Sequence, residues 1–205
     1  QARLWELASR LSERGHTITV LTAMPNYPTG RVFAGYRGKL RCVEEICGIR
    51  VIRTGLFPSK STRLFPRLVC YFTFAASSLL GLWGLGRHDV ALIESPPLFI
   101  FPSALVISRI SGARPVLMVS DIWPDILIRM GYRANSLGIR LLLWLEKFAY
   151  EHSEAVALTN AGAMRQVRER FPGLPKVTIV SNGVDTRTFR PELRSESLRK
   201  HFGAS

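Results

Sequence analysis

The sequence predicts an α/β fold in which a parallel sheet carries helices on both faces. Short segments rich in Val, Ile and Thr alternate along the 205 residues with longer segments whose apolar positions recur at helical spacing. This alternation is typical of strand–helix–strand units, whose crossovers are right-handed. With 47% hydrophobic and 21% charged residues, the chain has the composition needed to bury a substantial core.

The first quarter of the chain predicts a helix, a strand and a hairpin. The helix ends near Gly15, a residue type that often follows a helix C-terminus. Residues 17–21 are rich in β-branched side chains and predict a strand. Segments 39–45 and 49–54 alternate apolar and polar residues around Cys47-Gly48, which predicts a β-hairpin.

A basic segment precedes the longest apolar run. The net charge is +13, and residues 31–67 contribute more than half of it, with nine Lys or Arg residues and two Glu residues. Residues 68–86 have no charged side chain and predict an apolar helix that begins near Pro66. A solvated surface would explain the basic residues alone, whereas their position beside this helix favours contact with an anionic membrane surface. Strand–helix units flank the helix, so we expect it to be buried or to dip into the membrane rather than to span it.

The rest of the chain alternates regularly. Strands are predicted at 90–94, 115–120, 155–159 and 177–180, and helices at 98–111, 137–152 and 161–171. Parallel strands place their carboxyl ends at one edge of the sheet, where α/β proteins bind ligands. The residues that follow the strands are therefore the candidates for a functional site.

Candidate residues lie at or just after the ends of five predicted strands. They are Asn26, Tyr27, Glu94, Ser95, Asp121, Trp123, Thr159, Asn182 and Gly183. Asp121 is the strongest candidate, because it directly follows a buried strand and its carboxylate could orient or deprotonate a substrate hydroxyl. The alternative for Asp121 is a helix cap, and we expect Asp125 to serve the N-terminus of the next helix.

Several candidates have alternatives that the sequence leaves open. Glu94 precedes Pro96-Pro97, which stiffen the turn, and it either contacts a substrate or is a solvated turn residue. Trp123 either stacks on a ligand ring or packs against the entry of the helix. Asn26 and Tyr27 lie in a loop rich in Pro and Gly, which either covers a ligand or needs these residues only for its own shape.

Common cofactor and catalytic motifs are missing from the sequence. The chain has no GxGxxG motif, no P-loop, no HExxH motif and no Ser/His/Asp set. Its three cysteines lack the spacing of metal ligands, so we expect neither a metal site nor a disulfide framework. This pattern argues against a dinucleotide-dependent dehydrogenase.

Several of these segments resemble the N-terminal half of family-4 retaining glycosyltransferases. The similar segments are residues 7–22, 25–30, 35–38, 94–97 and 121–125, together with Asn182-Gly183-Val184-Asp185, Phe189 and Pro191. Nearly the whole chain is covered. The four central segments are similar to the branch that builds bacterial exopolysaccharide, colanic-acid-type and O-antigen sugars.

The resemblance implies a GT-B architecture, in which two Rossmann-like domains enclose the active site. Residues 1–185 would form the acceptor-side domain without its first strand, and residues 186–205 would be a linker and the start of a donor-binding domain. The enzyme would move a sugar, with retention, from a nucleotide-diphosphate donor to a polyprenyl-diphosphate-linked acceptor. It would need no metal or other cofactor and would lie on the cytoplasmic face of the bacterial membrane. Residues 1–205 alone would be inactive.

The resemblance also assigns roles to the candidate residues. Asp121 would be catalytic, and its neighbour Trp123 would bind the acceptor together with Asn26, Tyr27, Glu94 and Ser95. The residues expected at the cleft and domain junction are Thr159, Asn182, Gly183 and Asp185.

Two other functions stay open at this point. A nucleotide-sugar epimerase would share the GT-B architecture and would act on its donor without an acceptor. A basic α/β domain that binds nucleic acid would explain the charge, although no recognition helix or aromatic RNA-binding motif supports it. We therefore expect no nucleic-acid partner.

Overall fold

The computed structural model describes residues 2–61, 64–123, 125–129, 131, 133, 136–174, 176–184 and 186. The strands are β1 (Thr19–Ala23), β2 (Arg41–Ile46), β3 (Ile49–Thr54), β4 (Val90–Ser95), β5 (Arg114–Val119), β6 (Ala155–Leu158) and β7 (Val177–Ile179). The helices are α1 (Ala2–Glu13), α2 (Leu64–Ser78), α3 (Phe101–Ser111), α4 (Asp125–Arg129), α5 (Leu137–Glu151) and α6 (Ala161–Arg170). Short 3₁₀ turns lie at Ala34–Tyr36, Leu79–Leu82 and Leu98–Ile100. Asp185, Phe189, Pro191 and the rest of segment 187–205 lie outside the described residues.

The strands form two sheets, which confirms the predicted α/β class with parallel strands. One sheet has the order β4-β5-β6-β7, and all of its neighbouring strands are parallel. The other has the order β1-β3-β2, with β1 parallel and β2 antiparallel to β3. The amino ends of β1 and β4 lie close together, because His88 Nε2, two residues before β4, is 3.1 Å from Thr19 Oγ1. The two sheets are therefore adjacent at these ends of β1 and β4.

The predicted hairpin between β2 and β3 is confirmed. Ile46 pairs with Ile49, so Cys47 and Gly48 form a two-residue turn. Both turn residues have positive φ, 51° at Cys47 and 75° at Gly48. This combination is that of a type I′ turn, whose twist matches that of the paired strands.

Helices lie on both faces of the three-stranded sheet. On one face, Trp5 and Ala8 of α1 pack against Ile49 and Val51 of β3. On the other face, the Leu79–Leu82 turn approaches β1 so closely that a Cβ at Gly81 would lie 2.6 Å from a methyl carbon of Leu21. In the four-stranded sheet, α3, α5 and α6 cover the face that forms the main core. This core includes Phe101, Leu117, Leu145, Tyr150, Leu158 and Val167.

The apolar helix begins at Leu64, two residues before the predicted start. The stretch Phe65–Leu82 is long and apolar enough to cross a membrane, by length and composition alone. Only 11% of this stretch is buried. Complete burial, one of the two predicted alternatives, is therefore not observed, although most residues of the stretch are partly buried.

Candidate functional site

Four polar side chains from distant parts of the chain meet at the carboxyl ends of the four-stranded sheet. We call them the edge cluster: Arg3 of α1, Glu94 of β4, Ser120 after β5 and Asn182 after β7. Ser120 Oγ donates a hydrogen bond of 2.6 Å to Glu94 Oε1. Arg3 Nη2 donates to Ser120 Oγ at 2.8 Å and also to Glu94 Oε1, while Arg3 Nη1 donates to Asn182 Oδ1 at 2.5 Å.

Strand alternation determines which side chains of β4 can join this cluster. Successive residues of a strand point to opposite faces of the sheet. Ile93 and Ser95 are buried, and Ile93 packs in the core under the helices. Glu94 therefore lies on the opposite face, which the helices α3, α5 and α6 do not cover. Ser95, predicted to contact an acceptor, is only 3% exposed and lies on the core side.

Glu94 has one carboxylate oxygen that is satisfied and one that is not. Oε1 accepts hydrogen bonds from Arg3 and Ser120. Oε2 is buried and has no hydrogen-bond partner among the described residues. A buried polar atom without a partner is unfavourable, and it indicates a position for a donor that binds there. A ligand hydroxyl could supply this donor, while the adjacent guanidinium of Arg3 compensates the carboxylate charge.

Asp121 follows Ser120 but does not join the edge cluster. Its side chain is exposed and forms no hydrogen bond or ion pair within the part of the chain that the structure describes. The alternative role as a helix cap does not apply, because α4 begins four residues later at Asp125. Asp121 is thus accessible to a ligand, although no neighbour fixes its position.

A second charged group anchors the end of the loop that carries Asp121. Asp125 is the first residue of α4, as predicted, and accepts a hydrogen bond of 2.8 Å from Arg170 Nη1. The same guanidinium donates through Nη2 to Glu146 Oε2 at 2.6 Å. Tyr150 donates to the other Glu146 oxygen at 3.2 Å. We call these four residues the Arg170 network, which joins α4, α5 and α6.

Burial dominates the electrostatics of this network. Glu146 is only 1% exposed, and loss of water raises its pKa to about 7, although the nearby Arg170 acts in the opposite direction. The Glu146 carboxyl group is therefore only partly ionised near neutral pH. Both of its oxygens accept hydrogen bonds, Oε1 from Tyr150 and Oε2 from Arg170.

The predicted residues Asn26 and Tyr27 lie in the loop after β1 of the other sheet and take no part in the hydrogen bonds of the edge cluster. Asn26 stabilises its own loop, since its amide donates to the carbonyl of Met24 at 2.9 Å. The backbone carbonyl of Asn26 accepts a hydrogen bond from the backbone N–H of Gly30 at 2.7 Å. Tyr27 is exposed. This geometry agrees with the alternative in which loop shape accounts for Asn26.

The remaining candidates lie near the carboxyl ends of β5, β6 and β7. Trp123 is half-buried, and Gly183 is exposed. Thr159 Oγ1 accepts a hydrogen bond of 3.3 Å from Asn160, whose own Oδ1 caps α6 by accepting from Ala163 N at 2.9 Å. Among the described residues, no three His, Cys, Asp or Glu side chains are grouped so that they could hold a metal ion.

No local sequence pattern identifies Arg3 or Ser120 as a site residue. Arg3 is separated from Glu94 by 91 residues and from Asn182 by 179 residues, so no local pattern reports these contacts. Ser120 was assigned to a strand, whereas β5 ends at Val119 and leaves Ser120 at the sheet edge. The rule that ligands bind after parallel strands would have included Ser120 if the strand end had been known.

Two comparisons with known proteins cover this region. The glycosyl transferase 4-like domain family matches residues 1–183, which include the whole edge cluster. The chain is also 26% identical over 190 residues to WcaI of Escherichia coli (strain K12), which is named as a colanic acid biosynthesis glycosyl transferase. The alignment includes 90% of this chain and 46% of WcaI, so the chain spans about half the length of this relative.

Proposed function

Because this chain belongs to the glycosyl transferase 4-like domain family, we propose that it forms the acceptor-side domain of a retaining glycosyltransferase in cell-surface polysaccharide biosynthesis. The donor is a nucleotide-diphosphate sugar, held mainly by a second domain, and no metal is required. The acceptor is a polyprenyl-diphosphate-linked glycan. The family match along nearly the whole chain and the similarity to WcaI support this proposal.

The observation that carries the proposal is the buried, unpartnered Glu94 Oε2 at the carboxyl edge of the sheet. This oxygen accepts a hydrogen bond from an acceptor hydroxyl, while Arg3 and Ser120 fix the carboxylate through Oε1. Asp121 assists from the exposed side, where it orients the reacting hydroxyl. Thr159, Asn182 and Gly183 border the cleft toward the donor domain.

The reaction exchanges one bond at the anomeric carbon of the donor. The bond between this carbon and the diphosphate oxygen breaks as the acceptor oxygen forms a new bond on the same face of the sugar. A donor phosphate oxygen takes the proton of the acceptor hydroxyl, so the products are the extended glycan and a nucleoside diphosphate. Glu94 and Asp121 contribute orientation and electrostatic stabilisation rather than a covalent intermediate.

A lipid-linked acceptor agrees with the surface of the domain. Residues 31–67 are strongly basic, and Glu44, one of the two acidic residues in this segment, is already paired with Arg53 and accepts a hydrogen bond from Tyr36. The apolar helix α2 follows directly, and Phe65 and Phe72 are exposed on it. Basic residues beside an apolar helix are attracted to anionic lipid headgroups, so we place the enzyme on the cytoplasmic face of the membrane.

The reaction is tested with the full-length enzyme, a panel of nucleotide-diphosphate sugars and a polyprenyl-diphosphate-linked acceptor. We expect nucleoside diphosphate release that requires the acceptor, and a product whose anomeric configuration by NMR equals that of the donor. Epimerised or hydrolysed donor in the absence of acceptor would instead identify an epimerase or a hydrolase and overturn the proposal.

The site is tested with Glu94→Gln and Asp121→Asn in the same enzyme. We expect Glu94→Gln to lower kcat/KM by about 10²-fold or more, since positioned carboxylates typically contribute this much. Glu154→Gln is the matched control, because Glu154 also forms an ion pair, with Lys176 at 2.7 Å, but directly before β6 at the opposite edge. Equal activity of Glu94→Gln and Glu154→Gln would exclude Glu94 from the site.

A further inference from the structure

The segment that joins β5 to α4, which we call the Asp121 segment, runs from Ser120 to Asp125 and is held at both ends. At its first residue, Ser120 Oγ donates to Glu94 Oε1 within the edge cluster, and the backbone N–H of Ser120 donates to the carbonyl of Ser95 at 2.9 Å. At its other end, Asp125 is the first residue of α4 and a member of the Arg170 network. Asp121 lies between these two anchors, so its position depends on both.

Two side chains of α6 hold the Asp125 end of the segment. Arg170 Nη1 donates to Asp125 Oδ1 at 2.8 Å, and Gln166 Nε2 donates to Asp125 Oδ2. Gln166 and Arg170 are one helical turn apart and therefore lie on the same face of α6. We call these two residues the α6 clamp. Both carboxylate oxygens of Asp125 thus accept hydrogen bonds from one helix.

The α6 clamp is fixed to the core through Glu146. Arg170 Nη2 donates to Glu146 Oε2 at 2.6 Å, and Glu146 is only 1% exposed. A buried ion pair adds little net stability compared with apolar side chains of the same volume. The planar guanidinium does, however, bridge two carboxylates in a defined geometry, which suits it to hold one segment against another.

Helix α4 is too short to hold the Asp121 segment by itself. It has five residues, whereas an isolated helix shorter than about 12 residues is marginal in water. Ile122 packs against the main core, but the side chain of Asp121 has no hydrogen-bond partner within the part of the chain that the structure describes. The position of Asp121 therefore depends on contacts made by its neighbours in the segment, and the α6 clamp supplies those to Asp125.

We propose that Arg170 and Gln166 are positioning residues, which hold Asp121 at the edge of the sheet without touching the substrate. The inference rests on the proposed function, in which Asp121 orients the reacting hydroxyl. A displacement of about 1 Å in a group that orients a reactant can lower the rate by about 100-fold. Glu94 is anchored separately by Arg3, so a loosened Asp121 segment should leave acceptor binding largely intact.

The kinetic test compares Arg170→Lys and Gln166→Met in the full-length enzyme. Lysine keeps a charge beside Glu146 but has no planar fork, and methionine keeps the length of Gln166 without its N–H groups. We expect each variant to lower kcat by about 10-fold or more with little change in the KM for the acceptor. Gln166→Met leaves the pair of Arg170 and Glu146 intact, so it serves if Arg170→Lys fails to fold.

Arg168→Lys is the matched control for the α6 clamp. Arg168 is exposed on the same helix and forms no hydrogen bond or ion pair with any residue that the structure describes. We expect wild-type kcat for this variant. Wild-type kcat in both clamp variants as well would overturn the proposal while leaving the proposed function in place.

Double-mutant cycles show whether the clamp acts through Asp121. In the Asp121→Asn background, Arg170→Lys and Gln166→Met should have little further effect on kcat, because the group that they position is already lost. In the Glu94→Gln background, both should keep their full effect. Independent effects in the Asp121→Asn background would contradict the proposal. So would an equal coupling to Glu94, since it would indicate a general loss of the site.

Fluorine NMR of Trp123 tests the position of the segment without catalysis. In enzyme labelled with fluorotryptophan, the Trp123 resonance is assigned by its loss in Trp123→Phe. We expect this resonance to shift or broaden in both clamp variants but not in Arg168→Lys. The resonance of Trp5, which packs against the three-stranded sheet, should stay constant in all of them.

The NMR result also separates this proposal from the proposed function. If the wild-type enzyme transfers no sugar to any acceptor, the proposed function fails, and a changed Trp123 resonance in the clamp variants still shows that α6 holds the Asp121 segment. An unchanged Trp123 resonance in both clamp variants would refute the clamp whatever the activity of the enzyme.

Discussion

At the scale of single residues, Arg3 is the member of the edge cluster that forms hydrogen bonds with all three other members. One guanidinium reaches Glu94, Ser120 and Asn182, and thereby joins α1 to the ends of three strands. A guanidinium has several N–H groups in a planar fork, whereas a lysine has a single ammonium on a flexible stem. Arg3 is therefore a positioning residue, which fixes Glu94 without needing to touch the substrate.

We expect Arg3→Ala in the full-length enzyme to lower kcat/KM by about 10- to 100-fold, the equivalent of one lost hydrogen bond to a charged group. Arg3→Lys should recover only part of the activity, because one ammonium cannot bridge Glu94 and Asn182 in the same way. Free guanidinium ions should partly restore Arg3→Ala. The role would be refuted by a lysine variant with wild-type kinetics and no rescue by guanidinium.

Sequence reasoning located part of this site and missed part of it. Glu94 and Asn182 were found because the residues after parallel strands meet at one edge, which is a general property of the fold. Arg3 was missed because its partners are distant in the chain, and Asp121 was favoured because it directly follows a predicted buried strand. Only the three-dimensional arrangement distinguishes a fixed carboxylate from an exposed one.

At the scale of secondary structure, the Arg170 network couples α5 to α4 and α6. Its charge balance depends on pH because the pKa of Glu146 rises from 4.5 to about 7 on burial. The ionised form is thus less favourable in the folded chain than in the unfolded chain. The folded chain binds more protons between these two pH values, so the free energy of unfolding falls as pH rises through this window.

Glu146→Gln should remove this dependence. We expect the melting temperature of the variant, relative to that of the wild type, to increase between pH 4.5 and about 7 and then to level off. Glu154→Gln provides the contrast, because Lys176 lowers the pKa of the exposed Glu154. That variant should lose stability relative to the wild type as pH rises through the lowered pKa. A difference between Glu146→Gln and wild type that is constant with pH would contradict the assignment.

The β2–β3 turn permits a test of backbone strain. A Cβ at Gly48 would meet no atom within 4 Å, so Gly48→Ala changes only the cost of a positive φ. We expect it to lower the free energy of unfolding by about 1–2 kcal/mol. Cys47→Asn should raise stability, because Asn tolerates the same φ better than other residues do. Chemical denaturation of both variants measures these effects, and equal stability of the two would exclude a type I′ turn.

Most elements follow from the sequence because their signals are local. Periodicity predicted α5 from 137 to 152, and it ends at Glu151. Strand β1 was predicted two residues too early, at 17–21 instead of Thr19–Ala23, because β-branched residues begin before the pairing with β3 does. For helix α4 only the N-terminus at Asp125 was predicted and not the extent, since five residues are too few to show a helical period.

At the scale of the whole molecule, the sequence indicated the β2–β3 hairpin but not how the parallel strands pair. Periodicity identifies a strand but not its neighbour, and the parallel neighbours are separated by intervening helices or strands. The prediction of parallel strands was confirmed, whereas their division into two sheets is visible only in the structure. Charge and apolar runs predicted a membrane surface around α2, and this stays a prediction.

The division into two sheets also determines which parts of the molecule unfold together. Within the described residues, β1 and β4 lie at sheet edges and share no ladder, so side chains such as His88 and Leu21 connect the two halves. Side-chain contacts can separate without breaking a backbone ladder, so we expect two cooperative units in native-state hydrogen exchange of the 205-residue chain. The four-stranded sheet should unfold less often than the three-stranded sheet. Amides of β5 and β6 should therefore exchange more slowly than those of β1 and β2. A single common opening, with one denaturant dependence for both sheets, would show that the halves unfold together.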